Sequence, residues 1–159
     1  MSRKKISLLL AVFIVVSGFF IFRQSVIITA NHKTESLLGP FSGGDEELIM
    51  RATKLAHDSF RHNTGKDSDN HKPLLMTLRP FLTNRRLPHW LAVPEGAIET
   101  IYAGGWCDNA ARMLRFMLGH YGFESRQWNM VFPGGGHSAL VVDFPDGQMI
   151  FTDPFHGVV

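Results

Sequence analysis

The sequence predicts an α+β domain, with N-terminal helices packed on a small antiparallel sheet, preceded by one transmembrane helix. Three observations predict it. A 17-residue run from Ile6 to Phe22 is interrupted only by Ser7, Ser17 and Gly18, and Arg3, Lys4 and Lys5 precede it. Apolar residues recur at helical spacing from Leu48 to Phe60 and again from Cys107 to Tyr121. After Gly122 the period shortens to two, and turn residues separate the runs. Helices first and strands afterwards, in a chain of 159 residues, is the order of a single α+β layer architecture.

Composition narrows the function classes. The 16 Lys+Arg and 14 Asp+Glu give a net charge of +2. Setting aside Arg3, Lys4, Lys5 and Arg23 around the apolar run leaves 12 basic against 14 acidic residues. A nucleic-acid partner is therefore not expected, because phosphate neutralisation needs a basic surface. A single cysteine, Cys107, excludes an internal disulfide framework and a multi-cysteine zinc site.

Residues 1–24 read as a membrane anchor. Ile6 to Phe22 is at the short end of a bilayer span, and Val26 to Ala30 can extend it with Arg23 snorkelling. The preceding positive cluster orients the N-terminus to the cytoplasm and the domain outside it, as a single-pass membrane protein. The competing reading is a cleaved signal peptide, for which Ile28-Thr29-Ala30 is the best site, and a secreted domain. Residues 25–44 are assigned to a juxtamembrane linker, since Gly39, Pro40, Gly43 and Gly44 fall within it. Residues 45–159 form the domain.

Asp45 is a good N-cap, and Glu46 and Glu47 suit the positive end of a helix. Leu48, Ile49, Ala52, Leu55, Ala56 and Phe60 then form one face, ended by Asn63-Thr64-Gly65. Residues 64–73 are a polar loop. Leu74 to Leu82 is a short helix broken at Pro80, and Glu95 to Tyr102 a helical turn leading to Gly104-Gly105. Cys107, Ala110, Ala111, Leu114, Met117, Leu118 and Tyr121 make the clearest stripe, ended by Gly122 as a left-handed cap. Ser125–Phe132, His137–Phe144 and Met149–Asp153 are three strands.

The chemistry-bearing residues sit at element ends. Cys107 opens a helix, where unpaired N–H groups and the helix dipole favour a thiolate. Gly104 and Gly105 turn the chain into it and leave backbone N–H groups for an oxyanion. His137 opens a strand after Pro133-Gly134-Gly135-Gly136 and can serve as base; Asp153, in Thr152-Asp153-Pro154, can orient it. A Pro145-Asp146-Gly147 loop of the type I plus bulge kind pairs Phe144 with Gln148 and sets Ala139 opposite Asp153. His137 and Asp153 then become diagonal neighbours on one face, whereas a two-residue turn would put them on opposite faces. His156 is a competing polar partner for His137. His137, His156 and Asp153 are also a donor set zinc could use, but without an HExxH spacing no metal and no cofactor is assigned.

From Gly104 to Pro154 the chain resembles the transglutaminase-like family of papain-like cysteine enzymes. The resemblance lies in Gly-Gly-Trp-Cys-Asp-Asn-Ala-Ala, the helix leading to Gly122-Phe123-Glu124-Ser125-Arg126, then Gly-Gly-Gly-His-Ser-Ala and Thr-Asp-Pro. It implies a papain-like core, with Cys107 as nucleophile, His137 as general base and acid, and Asp153 as its orienter. It also implies a tryptophan as oxyanion donor, for which Trp90 is the candidate ahead of Trp106, beside the Gly105 N–H. The implied function is a membrane-anchored acyl-transfer enzyme, hydrolysing or exchanging an amide of a peptide, protein or cell-envelope substrate. The alternative is a catalytically silent module of the same fold that recruits a peptide or protein partner at the membrane.

Overall fold

Cys107–His120 is the helix around which the remaining elements are arranged. Counting helices in chain order, it is α5, after α1 (Arg3–Leu38), α2 (Asp45–Arg61), α3 (Leu74–Leu82) and α4 (Ala97–Tyr102). Strands β1 (Glu124–Phe132), β2 (Gly135–Asp143) and β3 (Met149–Thr152) follow. The computed structural model describes residues 3–39, 43–61, 74–84, 86–102 and 106–159. The polar loop 64–73, the Asn63-Thr64-Gly65 terminator and Gly104-Gly105 lie outside the described residues.

α5 forms because its apolar residues repeat at helical spacing and nothing in its interior breaks the backbone. Ala110, Ala111, Met113, Leu114, Met117 and Leu118 are all fully buried. Its end is a Schellman motif: Phe123 N–H donates to the Leu118 carbonyl, Gly122 N–H to that of Gly119, and Gly122 takes φ +87°. One side of α5 receives α2 through Leu48, Ile49, Ala52 and Ala56, and Leu140 and Val142 of β2 complete the same cluster.

The sheet is an antiparallel meander in the order β1-β2-β3. Alternation places Leu140 and Val142 toward α5 and leaves Trp128, Met149 and Phe151 exposed on the outer face. The β2–β3 register pairs Leu140 with Thr152 and Asp143 with Met149. Phe144 N–H donates to the Gln148 carbonyl and Gly147 N–H to that of Phe144, so the loop holds three residues, with Gly147 at φ +87°. This is the register that the Pro145-Asp146-Gly147 loop dictates.

Three sequence expectations are corrected. Residues 25–38, assigned to a linker, continue α1, which ends at Gly39 (φ +65°) with Gly39 N–H donating to the Glu35 carbonyl. No helix breaker stands before Gly39, and Val26, Ala30, Thr34 and Leu38 recur every fourth residue as a buried stripe. α3 runs through Pro80 to Leu82 instead of breaking there. Proline so near the end removes one hydrogen bond, and Thr83 N–H closes the last turn on the Arg79 carbonyl. Asp45 is the first helical residue of α2, one past the cap, since the Leu48 N–H is taken by the Gly44 carbonyl.

A second cluster joins Val26 and Ala30 of α1 to Leu82, Val93, Ala97 and Ile98, with Phe19 and Phe22 packed against it. Arg23, expected to snorkel, donates from Nε to the Ala92 carbonyl at 2.7 Å. α4 can approach α5 because Gly96 (φ +91°) has no Cβ; one there would stand 1.9 Å from the Arg112 carbonyl oxygen.

Candidate active site

The β2–β3 register brings two of the expected site residues together. Since Leu140 faces Thr152, Asp153 lies beyond Ala139, on the same face as His137. His137 Nε2 lies 2.6 Å from Asp153 Oδ2, with the two side chains only 15% and 12% exposed. A hydrogen bond from an imidazole to a carboxylate contributes roughly 1.5–3 kcal/mol when shielded in this way. Asp153 Oδ1 accepts the N–H groups of Phe155 and His156 at 3.0 and 3.1 Å, which fixes the carboxylate plane. With Nε2–H directed at Asp153, Nδ1 carries the lone pair and is the nitrogen able to take a proton from a nucleophile.

Cys107 stands at the first position of α5 after Trp106, whose backbone is extended (φ −101°, ψ 178°). Its thiol donates to the carbonyl of Gly136, S···O 3.9 Å, the residue immediately before His137. The helix start thus lies against the opening of β2, and the sulfur is partly exposed. Among the described residues the thiol bonds to this carbonyl and not to the imidazole.

Polar residues that sequence reasoning missed hold the helix there. Gln127 on β1 donates to Asp108 Oδ1 at 2.7 Å and to Asn129 Oδ1 at 3.0 Å. Asn129 Oδ1 also accepts Ser138 Oγ at 2.8 Å, and Asp108 Oδ2 pairs with Arg112 at 3.1 Å. These bonds tie the first turn of α5 to the β1–β2 hairpin beside Cys107 and His137. Ser125, Gln127 and Asn129 make the face of β1 turned toward α5 polar, and that polar run was the available signal.

Trp90 is 45% exposed in the segment before α4, and among the described residues no hydrogen bond links it to Cys107 or His137. Trp106 is 80% exposed beside Cys107. Gly105 lies outside the described residues. A cleft of about 930 Å³, lined by Arg23, His89 and Arg115 among others, opens toward the C-terminal end of α5, where Gly119 and His120 also line it, and does not include the cysteine.

Neither family models, nor curated proteins, nor solved structures give a match to this chain.

Proposed function

We propose that the chain is a membrane-anchored cysteine acyl-transfer enzyme of the transglutaminase-like class, acting on an amide of a peptide, protein or cell-envelope substrate. The observation that carries this reading is the 2.6 Å His137–Asp153 pair with the Cys107 sulfur on the carbonyl of the preceding residue. Cys107 would lose its proton to His137 Nδ1 and attack the amide carbon. The imidazolium, held by Asp153, would return that proton to the departing amine. Water activated by the same imidazole would then release the acyl group as a carboxylate, or an amine would take it.

The long apolar helix supports anchorage. Its apolar window is 0% buried, while Ala30, at the best signal-cleavage site, is 0% exposed within the domain core. Cutting there would remove Val26 and Ala30 from a packed cluster, which favours retention of the anchor.

One observation favours the second reading, a silent binding module. Among the described residues the Cys107 thiol donates to the Gly136 carbonyl and not to the His137 imidazole. Alkylation separates the two. The full chain in detergent is treated with iodoacetamide at about pH 6, where an ordinary thiol of pKa about 8.5 is almost wholly protonated. Fast labelling that is lost in His137→Ala supports the enzyme, and a screen of amide substrates should then show turnover that Cys107→Ser abolishes. Equal, slow labelling of both chains overturns the pair and leaves the binding module.

A further inference from the structure

The turn after β3 is built more firmly than a chain reversal requires. Asp153 and Val158 exchange backbone hydrogen bonds at 2.7 and 3.1 Å, and Asp153 Oδ1 holds the N–H groups of Phe155 and His156. Gly157 (φ +69°) lies so close to α2 that a Cβ would stand 2.9 Å from Cγ of His57. His57 Nδ1 is 2.8 Å from the Phe155 carbonyl oxygen. Held from both sides, the turn carries His156 outward, with its ring centroid 5.1 Å from that of His137 at 44°.

One nitrogen of each of these imidazoles and one Asp153 oxygen lie within 4.8 Å of one another. We propose that His137, Asp153 and His156 form a site for a divalent cation of the zinc class, and that its occupancy switches off activation of Cys107. The switch rests on the Cys107–His137 assignment above; the cation site does not. Two imidazoles and a carboxylate suit a borderline-soft cation and are poor ligands for calcium or magnesium. Three protein ligands leave a fourth position for water.

Bonds of about 2.0–2.2 Å at tetrahedral angles set donor atoms roughly 3.3–3.6 Å apart. His156, exposed at the tip of its turn, can close that distance by a side-chain rotation, and the His137–Asp153 contact opens to admit the ion. The cation takes the Nε2 lone pair of His137, so the single ring proton moves to Nδ1 and no proton is gained or lost. Nδ1 then has no lone pair to accept the cysteine proton.

The test uses the full chain in detergent with Co²⁺ as a spectroscopic probe. Cys107→Ser is introduced first, so that a thiolate does not compete for the ion. One Co²⁺ per chain with the visible bands of a four-coordinate site is expected. Losing even an outer-shell partner weakens a metal site by about 10–100-fold, so adding His156→Ala should weaken Co²⁺ binding by about 100-fold or more. No binding, or equal binding after His156→Ala, overturns the site. In the chain that retains Cys107, Zn²⁺ should slow iodoacetamide labelling about tenfold or more, and the ratio of rates with and without Zn²⁺ should return toward one in His156→Ala. Equal slowing of both chains means that Zn²⁺ acts on the thiol directly, and overturns the switch. Equal metal-free labelling of wild type and His137→Ala overturns the Cys–His pair and the switch with it, while the Co²⁺ comparison still judges the cation site on its own.

Discussion

Asp153 divides its carboxylate between two tasks. Oδ2 takes the His137 Nε2–H and Oδ1 takes two backbone N–H groups of the following turn. Asp153→Asn keeps the second task, because an amide oxygen can replace Oδ1. Its NH₂ would then face Nε2 and force the ring proton onto Nδ1, the wrong tautomer for a base. The expected outcome is an intact fold, by circular dichroism, with Cys107 alkylation near pH 6 reduced about 10–100-fold, the scale of one charge-assisted hydrogen bond. Unchanged labelling would remove Asp153 from the site. Gly96 is decided by backbone geometry instead. Gly96→Ala places a methyl against the Arg112 carbonyl at φ +91°. It should cost about 2–5 kcal/mol from the left-handed backbone and overpacking together, read as a lower midpoint in denaturant.

At the scale of elements, a loop of three residues aligns the site. Asp146 Oδ1 accepts the Gln148 N–H at 3.0 Å, and Gly147 supplies the positive φ the bulge needs. Deleting Pro145 leaves an Asp146-Gly147 two-residue turn. The inner face of β3 opposes a slip, since Thr152 Oγ1 meets Thr53 Oγ1 at 2.6 Å and Ile150 packs on the core. Either β3 slips and Asp153 leaves the His137 face, or the loop strains. Either outcome should lower the melting temperature; a slip should also bring alkylation down to the level of Asp153→Asn, a strained loop that keeps the register should leave it near the wild-type rate, and an unchanged melting temperature with wild-type labelling would show that the loop does not govern the pairing. This alignment was legible in the sequence because turn chemistry fixes hairpin register, and register fixes which side chains share a face. The path of α3 through Pro80 was not, because a proline's cost depends on how many helical bonds remain beyond it.

Over the whole molecule, α1 belongs to two environments. Its 36 residues span about 54 Å at 1.5 Å per residue, far more than a bilayer core of about 30 Å. The first part exposes Leu8, Phe13 and Val15; the second buries Val26, Ala30, Thr34 and Leu38 in the domain. A chain beginning at residue 31 should therefore be less stable than one beginning at Gly18, which keeps Phe19, Phe22, Val26 and Ala30. Burial of these side chains at about 25 cal/mol per Å² makes the difference roughly 2–5 kcal/mol, and a lower melting temperature by about 5–15 °C would report it. Equal melting temperatures would show that this half of α1 is not part of the domain's core.

The sequence by itself determined the α+β order, the α5 stripe and its Gly122 cap, the hairpin register, and hence the meeting of His137 with Asp153. Each follows from local periodicity or turn stereochemistry acting over a few residues. Only the tertiary structure decided that residues 25–38 extend α1, because the stripe of Val26, Ala30, Thr34 and Leu38 becomes a core face only when α2, α4 and α5 pack around it. Tertiary contacts also decided that Gln127 and Asn129 tether the start of α5 and that His57 buttresses the turn carrying His156. These contacts join residues 19 to 98 positions apart, and no local pattern encodes which polar groups meet once the core has closed.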